Sequence, residues 1–169
     1  MPGSLAHLAS RFFDYLRARP LNEQHVSELG SWLTVGQLEL FLDQTPRDQA
    51  HGYAAGSIVV ANGVSDIEAV RAALLHDVGK RHAGLGVFGR SFASLLIKSR
   101  MPLTRAMRTY RDHGDVGSTE LAAVGSSPLV VDFARNHHGT RPETIDEGTW
   151  NVLQGADRPG KPSVLGTLG

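Results

Sequence analysis

The sequence contains no cysteine and no long apolar run, and each absence excludes a class of protein. Without cysteine the chain forms neither a disulfide nor a thiolate metal site, so any bound metal must have nitrogen and oxygen ligands. No stretch approaches the roughly 18 apolar residues of a membrane span, and the N-terminus lacks the layout of a secretory signal peptide. We therefore expect a cytoplasmic protein without a membrane partner.

The chain also lacks an excess of charge of either sign, with 17 Lys and Arg residues against 17 Asp and Glu residues. An extended nucleic-acid surface needs a basic excess, so this balance argues against one, although it allows a small basic pocket. Hydrophobic residues make up 41% of the 169 residues, which is enough for the core of one compact domain.

Alternating strand patterns are nearly absent, whereas apolar residues recur at helical spacing, so the predicted fold class is all-α. Ser65 and Glu68 have the spacing of a capping box at the start of the most apolar helix. A glycine-rich loop is expected over residues 82–90. The helices are predicted over residues 4–18, 22–29, 34–42, 46–61, 65–79, 91–99, 102–112, about 115–124, 127–138 and 146–157.

Eight histidines are many for this length, and several lie on helix faces that are otherwise apolar. A buried histidine or aspartate is costly unless it is paired or bound to a metal. Each feature taken alone is more often structural, since His-Asp pairs arise by chance and His-His pairs are common in surface loops. Their joint occurrence in order instead favours a divalent metal, the natural partner of imidazole and carboxylate. The candidate metal ligands are His51, His76, Asp77, His113, His137, His138 and Asp157.

This ordered pattern resembles that of the HD superfamily of metal-dependent phosphohydrolases. The stretch AALLHDVGK, residues 72–80, matches the central motif of that family, and the resemblance covers residues 46–158. It implies an HD-domain helical bundle around a metal site in residues 46–158. The sequence pattern outside this range predicts accessory helices in residues 1–45 that pack on the core and a flexible tail in residues 159–169. The resemblance further implies one metal bound by His51, His76, Asp77 and Asp157.

The remaining histidines resemble the second-metal ligands of the dinuclear branch of the family. His113, His137 and His138 would bind that second ion, and Asp77 would bridge both. The run NHHGT at residues 136–140 is similar to one in membrane-bound HD phosphodiesterases that cleave cyclic di-AMP, and to the HH motif of HD-GYP proteins that cleave cyclic di-GMP. The chain lacks the membrane helices of the first group and the GYP tripeptide of the second.

The resemblance therefore indicates the metal chemistry of this chain better than it indicates the substrate. We expect two divalent ions, Fe or Mn, sharing a hydroxide that attacks phosphorus in a small phosphate ester. That ester would be a phosphodiester or a nucleotide phosphate, including a cyclic dinucleotide. Asp77 would orient the hydroxide, and Lys80, one helical turn beyond His76, would contact a substrate phosphate. Arg141 and Arg158 are weaker candidates for substrate contacts.

Three alternatives stay open. A mononuclear nucleotidase of the same family would use only the first four ligands. A di-iron oxygenase of the HD fold would activate oxygen, although such sites generally have one histidine fewer. A non-catalytic module would bind a nucleotide without turning it over.

Overall fold

The computed structural model describes residues 20–158, and all regular secondary structure within this range is helical. The predicted all-α fold class is therefore confirmed, whereas the predicted helix over residues 4–18 and the tail over residues 159–169 lie outside the described residues. The helices are α1 (Glu23–Trp32), α2 (Val35–Leu42), α3 (Pro46–Ala61), α4 (Ile67–Leu75), a 3-10 helix (Val78–Ala83), α5 (Val87–Lys98), α6 (Arg105–Arg111), α7 (His113–Ala123), α8 (Pro128–Asn136) and α9 (Glu147–Asp157).

Short polar side chains cap most of these helices. Thr45 begins α3 by accepting a hydrogen bond from the backbone N–H of Asp48, because the first N–H groups of a helix have no partner within it. The capping box predicted at Ser65 is wrong. Asp66 begins α4 instead, with its carboxylate accepting from the N–H of Glu68 at 2.9 Å. A negative charge is favoured at this end of a helix.

The structure also corrects the predicted ends of several elements. The helix predicted over residues 65–79 ends at Leu75, and the chain continues as a 3-10 helix from Val78. The predicted loop over residues 82–90 overlaps the start of α5 at Val87, and α7 begins at His113, before the predicted start near residue 115. The first and the last of these shifts lie at candidate ligands, since His76 follows Leu75 and α7 begins at His113.

One hydrophobic core joins the N-terminal helices to the rest of the bundle. Leu29 of α1 and Phe41 of α2 are fully buried in the same cluster as Leu74 of α4, Phe133 of α8 and Leu153 of α9. Burying a side chain of this size contributes about 1.5–3 kcal/mol. Within residues 20–158, no helix is both long and apolar enough to cross a membrane.

The central helix of the bundle is α4, which is buried on nearly all sides. It packs against α3 and α8, with a further contact to α9. Small residues such as Ala69, Ala72 and Ala73 let the neighbouring backbones come close, and all three are buried. As a result, the C-terminal end of α4 delivers the next two residues, His76 and Asp77, into the interior.

Candidate metal centre

The structure brings the seven predicted ligands together from five places in the chain. One lies within α3, whereas the others lie at helix ends or in the residues that directly follow a helix. Converging helix ends place several side chains around one point without breaking the helices themselves. The ligands are His51 within α3, His76 and Asp77 after α4, His113 at the start of α7, His137 and His138 after α8, and Asp157 at the end of α9.

Four of these side chains form a first group around one carboxylate oxygen of Asp77. His76 Nε2 lies 3.0 Å from Asp157 Oδ1 and 3.4 Å from Asp77 Oδ2. His51 Nε2 lies 3.2 Å from Asp157 Oδ1 and 3.6 Å from Asp77 Oδ2. Ligand atoms of His51, His76 and Asp77 therefore all lie within 4.8 Å of one another, and Asp157 Oδ1 contacts both imidazoles.

A second group surrounds the other carboxylate oxygen of Asp77. His113 Nε2 lies 3.3 Å and His137 Nε2 lies 3.4 Å from Asp77 Oδ1, and the two nitrogens are 3.3 Å apart. His138 closes this group from the solvent side, with its ring centroid 4.0 Å from that of His137 and 5.2 Å from that of His113. Asp77 is thus shared between the two groups, one oxygen to each.

The backbone fixes the orientation of three of the imidazoles in the same way. Each Nδ1–H donates a hydrogen bond to the carbonyl three residues earlier, which belongs to the last turn of the preceding helix. Such carbonyls have no partner within the helix. The contacts join His76 to Ala73 at 2.8 Å, His113 to Tyr110 at 2.6 Å and His137 to Ala134 at 2.8 Å.

This contact also sets which nitrogen can bind a metal. Because Nδ1 carries the donated proton, the neutral ring presents its Nε2 lone pair, and it does so toward the cluster. The arrangement is the one commonly found for histidines that ligate metals, where a hydrogen bond on the far nitrogen holds the ring in place.

Burial and charge make the cluster strongly coupled. His76, Asp77, His113 and His137 are all buried. Burial alone would lower the pKa of His76, but the carboxylates of Asp77 and Asp157 outweigh it and raise that pKa to about 10. Burial likewise opposes ionisation of Asp77, yet Lys80 and His76 hold its pKa well below the usual value. Burial lowers the pKa of His137, which favours a neutral imidazole.

The donor set and its spacing fit divalent metal ions. Metal bonds from imidazole and carboxylate are about 2.0–2.2 Å long, so neighbouring ligand atoms around one ion lie about 3.0–3.5 Å apart. The separations of 3.0–3.6 Å within the first group match this spacing. In the second group, Asp77 Oδ1 is buried without a hydrogen-bond partner, although two Nε2 atoms face it. A cation would satisfy all three atoms, and buried His and Asp groups of this kind could hold metal.

The predicted substrate-contacting residues take up different positions. Lys80 Nζ lies 2.5 Å from Asp77 Oδ2, at the carboxylate that both groups share. Arg158 lies at the edge of the first group, with Nε 3.6 Å from Asp157 Oδ2 and Nη2 donating to the carbonyl of His137 at 3.3 Å. Arg141 instead donates to the carbonyl of Ile145 at 2.7 Å, a contact within its own loop.

Sequence reasoning missed the residues that hold the ligands from behind. Gln154 donates to the carbonyl of His137 at 2.6 Å and so ties α9 to the end of α8. The ring of Tyr110 stacks on that of His113 at a centroid distance of 5.8 Å. Position was the signal for Gln154, because it precedes Asp157 by three residues in α9, and residues at this spacing share a helix face. Tyr110 lies in α6, one helix before His113, so spacing gave no such signal for it.

Comparisons with known proteins do not assign this chain to a family. Nothing matched the chain in a scan of protein-family models, in a search of curated proteins or in a search of solved structures. An all-helical structure with a buried His/Asp cluster that could bind metal is compatible with an HD-like site. The candidate metal site is therefore supported by the order of its ligands in the sequence and by their convergence in the fold.

Proposed function

We propose that this protein is a metal-dependent phosphohydrolase of the HD superfamily that uses two divalent ions, Fe or Mn. Its proposed substrate is a small phosphate ester, either a phosphodiester or a nucleotide phosphate, with cyclic dinucleotides among the candidates. The observation that supports this is the division of Asp77, which has one oxygen in each of two adjacent groups of imidazole and carboxylate donors. A carboxylate placed in this way could bridge two ions.

The cluster supports hydrolysis through electrostatics. Divalent ions, when bound in pairs, polarise phosphoryl oxygens and lower the pKa of water, so that no side-chain nucleophile is required. The chain's own contribution is to hold the donors in fixed positions by hydrogen bonds to the backbone. Lys80 adds a positive charge beside Asp77, where it would neutralise a substrate phosphate oxygen.

Metal content per chain tests the two-ion arrangement. We expect two ions in protein purified without chelator or affinity nickel. Asp157→Asn and His113→Ala each alter one group, so each should retain about one ion, whereas Asp77→Asn alters both groups and should retain close to none. Asp115→Asn is the matched control, since this carboxylate is exposed on α7. One ion in the parent, unchanged by His113→Ala, would support the mononuclear alternative.

Turnover of phosphate esters tests the reaction. Protein loaded with Mn or Fe should hydrolyse bis(p-nitrophenyl) phosphate, and a panel of cyclic dinucleotides and nucleoside monophosphates would then define the substrate. Asp77→Asn should abolish this activity, while Asp115→Asn should keep it. Oxygen uptake without phosphate release would instead support the oxygenase alternative. If protein fully loaded with metal bound a nucleotide tightly but did not turn it over, the result would support the non-catalytic alternative.

A further inference from the structure

The even charge of the whole chain hides a strongly uneven distribution. Residues 78–111 contain eight of the 17 basic residues and no Asp or Glu. Three of the eight are bound to carboxylates in the interior of the fold, namely Lys80 to Asp77, Arg81 to Glu120 and Arg90 to Asp48. The other five are exposed on α5, α6 and the turn between them: Lys98, Arg100, Arg105, Arg108 and Arg111.

These exposed cations are largely unneutralised. Arg111 pairs with the neighbouring Asp112 at 2.6 Å. Within residues 20–158, no carboxylate pairs with Lys98, Arg100, Arg105 or Arg108. On α6, Arg105, Arg108 and Arg111 follow each other at three-residue spacing, which places them on one helix face.

Large apolar side chains are exposed beside these cations. Phe92 and Leu95, on one face of α5, are 54% and 59% exposed, and Met101 in the following turn is 53% exposed. The helix α5 packs mainly against α6, and none of its side chains that the structure describes belongs to the core cluster described above. The two helices therefore form a hairpin that exposes both basic and apolar side chains to solvent.

An open groove of about 430 Å³ lies at the turn between α5 and α6. Apolar residues and arginines both line it. A ligand that fits such a groove has an apolar body next to a negative charge. The apolar lining residues are Ile97, Met101, Pro102 and Leu103, and the basic ones are Arg100, Arg108 and Arg111.

The backbone at Arg100 gives an independent reason to assign this face a role. Arg100 has φ 53°, a left-handed conformation, in the turn that ends α5. The turn is closed by hydrogen bonds from the N–H of Met101 to the carbonyl of Leu96 and from that of Arg100 to Ile97. Glycine is the residue favoured here, and another residue costs about 1 kcal/mol. The chain has arginine at this position, and its side chain lines the groove.

We propose that the outer face of the α5–α6 hairpin docks on a membrane surface rich in anionic phospholipid. The basic side chains would contact headgroup phosphates, while Phe92, Leu95 and Met101 would enter the boundary between headgroups and acyl chains. This interaction goes beyond the proposed hydrolytic function and is independent of it. The sequence predicts no membrane partner because it contains no apolar run long enough to span a bilayer. Docking on an anionic surface does not need such a run, because the local basic excess is attracted to it.

Other occupants of this face fit its chemistry less well. Single-stranded nucleic acid binds by stacking bases on aromatic rings, and two of the three exposed apolar residues, Leu95 and Met101, have no ring. A second copy of this chain in a symmetric pair would set one basic face against another. Residues 1–19 carry Arg11, Arg17 and Arg19 against one acidic residue, Asp14, so their net charge has the wrong sign.

Co-sedimentation of the full chain with lipid vesicles tests the proposal. We expect binding to vesicles of phosphatidylcholine mixed with phosphatidylglycerol, little binding to phosphatidylcholine alone, and weaker binding as salt is raised. Arg105→Gln/Arg108→Gln should weaken binding about 30-fold, or about fivefold for each charge removed. Arg47→Gln/Arg135→Gln removes two exposed arginines from α3 and α8 and is the matched control, with binding expected to be unchanged.

A second variant separates binding from folding. Arg100→Gly relieves the left-handed backbone and should leave thermal stability equal or higher, yet it should weaken vesicle binding. The proposal is overturned if neither vesicle type binds, or if both double variants weaken binding equally. Binding to a single-stranded oligonucleotide with none to anionic vesicles would also overturn it and would assign the face to nucleic acid.

Discussion

At the scale of single residues, hydrogen bonds to the backbone determine which ring nitrogen of three histidines faces the cluster. The Nδ1 atoms of His76, His113 and His137 are bonded to backbone carbonyls, so their Nε2 atoms face the carboxylate of Asp77. Asp77 has a different set of neighbours for each oxygen. This arrangement of atoms is the one that two adjacent ion sites would need.

Lys80 is predicted to act on the substrate, and its removal should leave metal binding intact. Its Nζ lies 2.5 Å from Asp77 Oδ2, so its charge opposes a nearby cation and does not support one. Lys80→Ala should therefore lower kcat about 10²–10³-fold, the usual cost of losing one donor to a developing charge. Metal content, measured by elemental analysis, should not fall. Lys80→Arg should restore part of the activity, and a parallel loss of metal and activity would contradict a role in substrate contact.

Metal binding should release a proton from His76. With its pKa raised to about 10 by Asp77 and Asp157, this imidazole is protonated at pH 7.5, and its Nε2 must lose that proton to bind an ion. Protons therefore compete with the metal. At pH values below that pKa, the affinity for the metal should increase about tenfold for each unit by which the pH is raised, because one proton is displaced. Calorimetric titrations in buffers of different ionisation enthalpy would measure the release, and heats independent of the buffer would contradict it.

At the scale of elements, the site depends on close contact between the 3-10 helix and α7. A Cβ added at Gly79 would lie 2.0 Å from the carbonyl oxygen of His113 and 2.7 Å from the backbone N of Gly117. Both of these are backbone atoms, which cannot turn aside as a side chain can. The two elements must separate before any larger residue fits, and His113 would move with α7.

Gly79→Ala should accordingly damage both stability and the second group of ligands. We expect a loss of about 1–3 kcal/mol or more in the free energy of unfolding, as for other overpacked sites. The metal content should fall toward one ion per chain. Gly30→Ala is the matched control, because a Cβ on that residue of α1 meets nothing within 4 Å, and helix propensity favours alanine. Chemical denaturation and elemental analysis would measure both effects, and equal stability of the two variants would contradict the contact.

The sequence predicted the existence and order of the helices better than their ends. Apolar spacing located α3, α4 and α9, and the ligand pattern selected the residues that converge. The predicted continuation of α4 to Gly79 failed because the imidazole of His76 takes the carbonyl of Ala73 and the backbone then tightens at Val78. A hydrogen bond from a side chain to a backbone carbonyl cannot be recognised from the residue type. The division of Asp77 between two groups and the inward position of Lys80 are likewise properties of side-chain conformation.

At the scale of the whole molecule, the candidate ligands connect parts of the chain that are far apart in sequence. His51 and Asp157 are 106 residues apart, yet their side chains are 3.2 Å apart. The hydrophobic core already brings these helices together, as Ala54 and Val59 of α3 share one buried cluster with Leu153 of α9. Ions bound at the cluster would add cross-links between α3, α9 and the ends of α4 and α8.

Metal loading should therefore stabilise the entire fold. A ligand that binds only the folded state at 100 times its Kd adds about 2.7 kcal/mol to the free energy of unfolding. For a chain of this size, that corresponds to a rise in Tm of about 5–10 °C. We expect this rise when chelator-treated protein receives Mn or Fe. Differential scanning calorimetry would measure it, with Asp115→Asn responding like the parent.

The Asp77→Asn variant tests whether the rise in Tm on metal loading comes from ions bound at the cluster. The substitution removes the carboxylate shared by both groups but keeps the size of the side chain, so the treated variant should still fold. Its Tm should then be insensitive to added metal, because each group has lost the oxygen around which its imidazoles are arranged. If Asp77→Asn and the parent gained the same number of degrees, the ions would be binding elsewhere on the folded chain. The cluster would then be a buried hydrogen-bonded network, held together by its own protons.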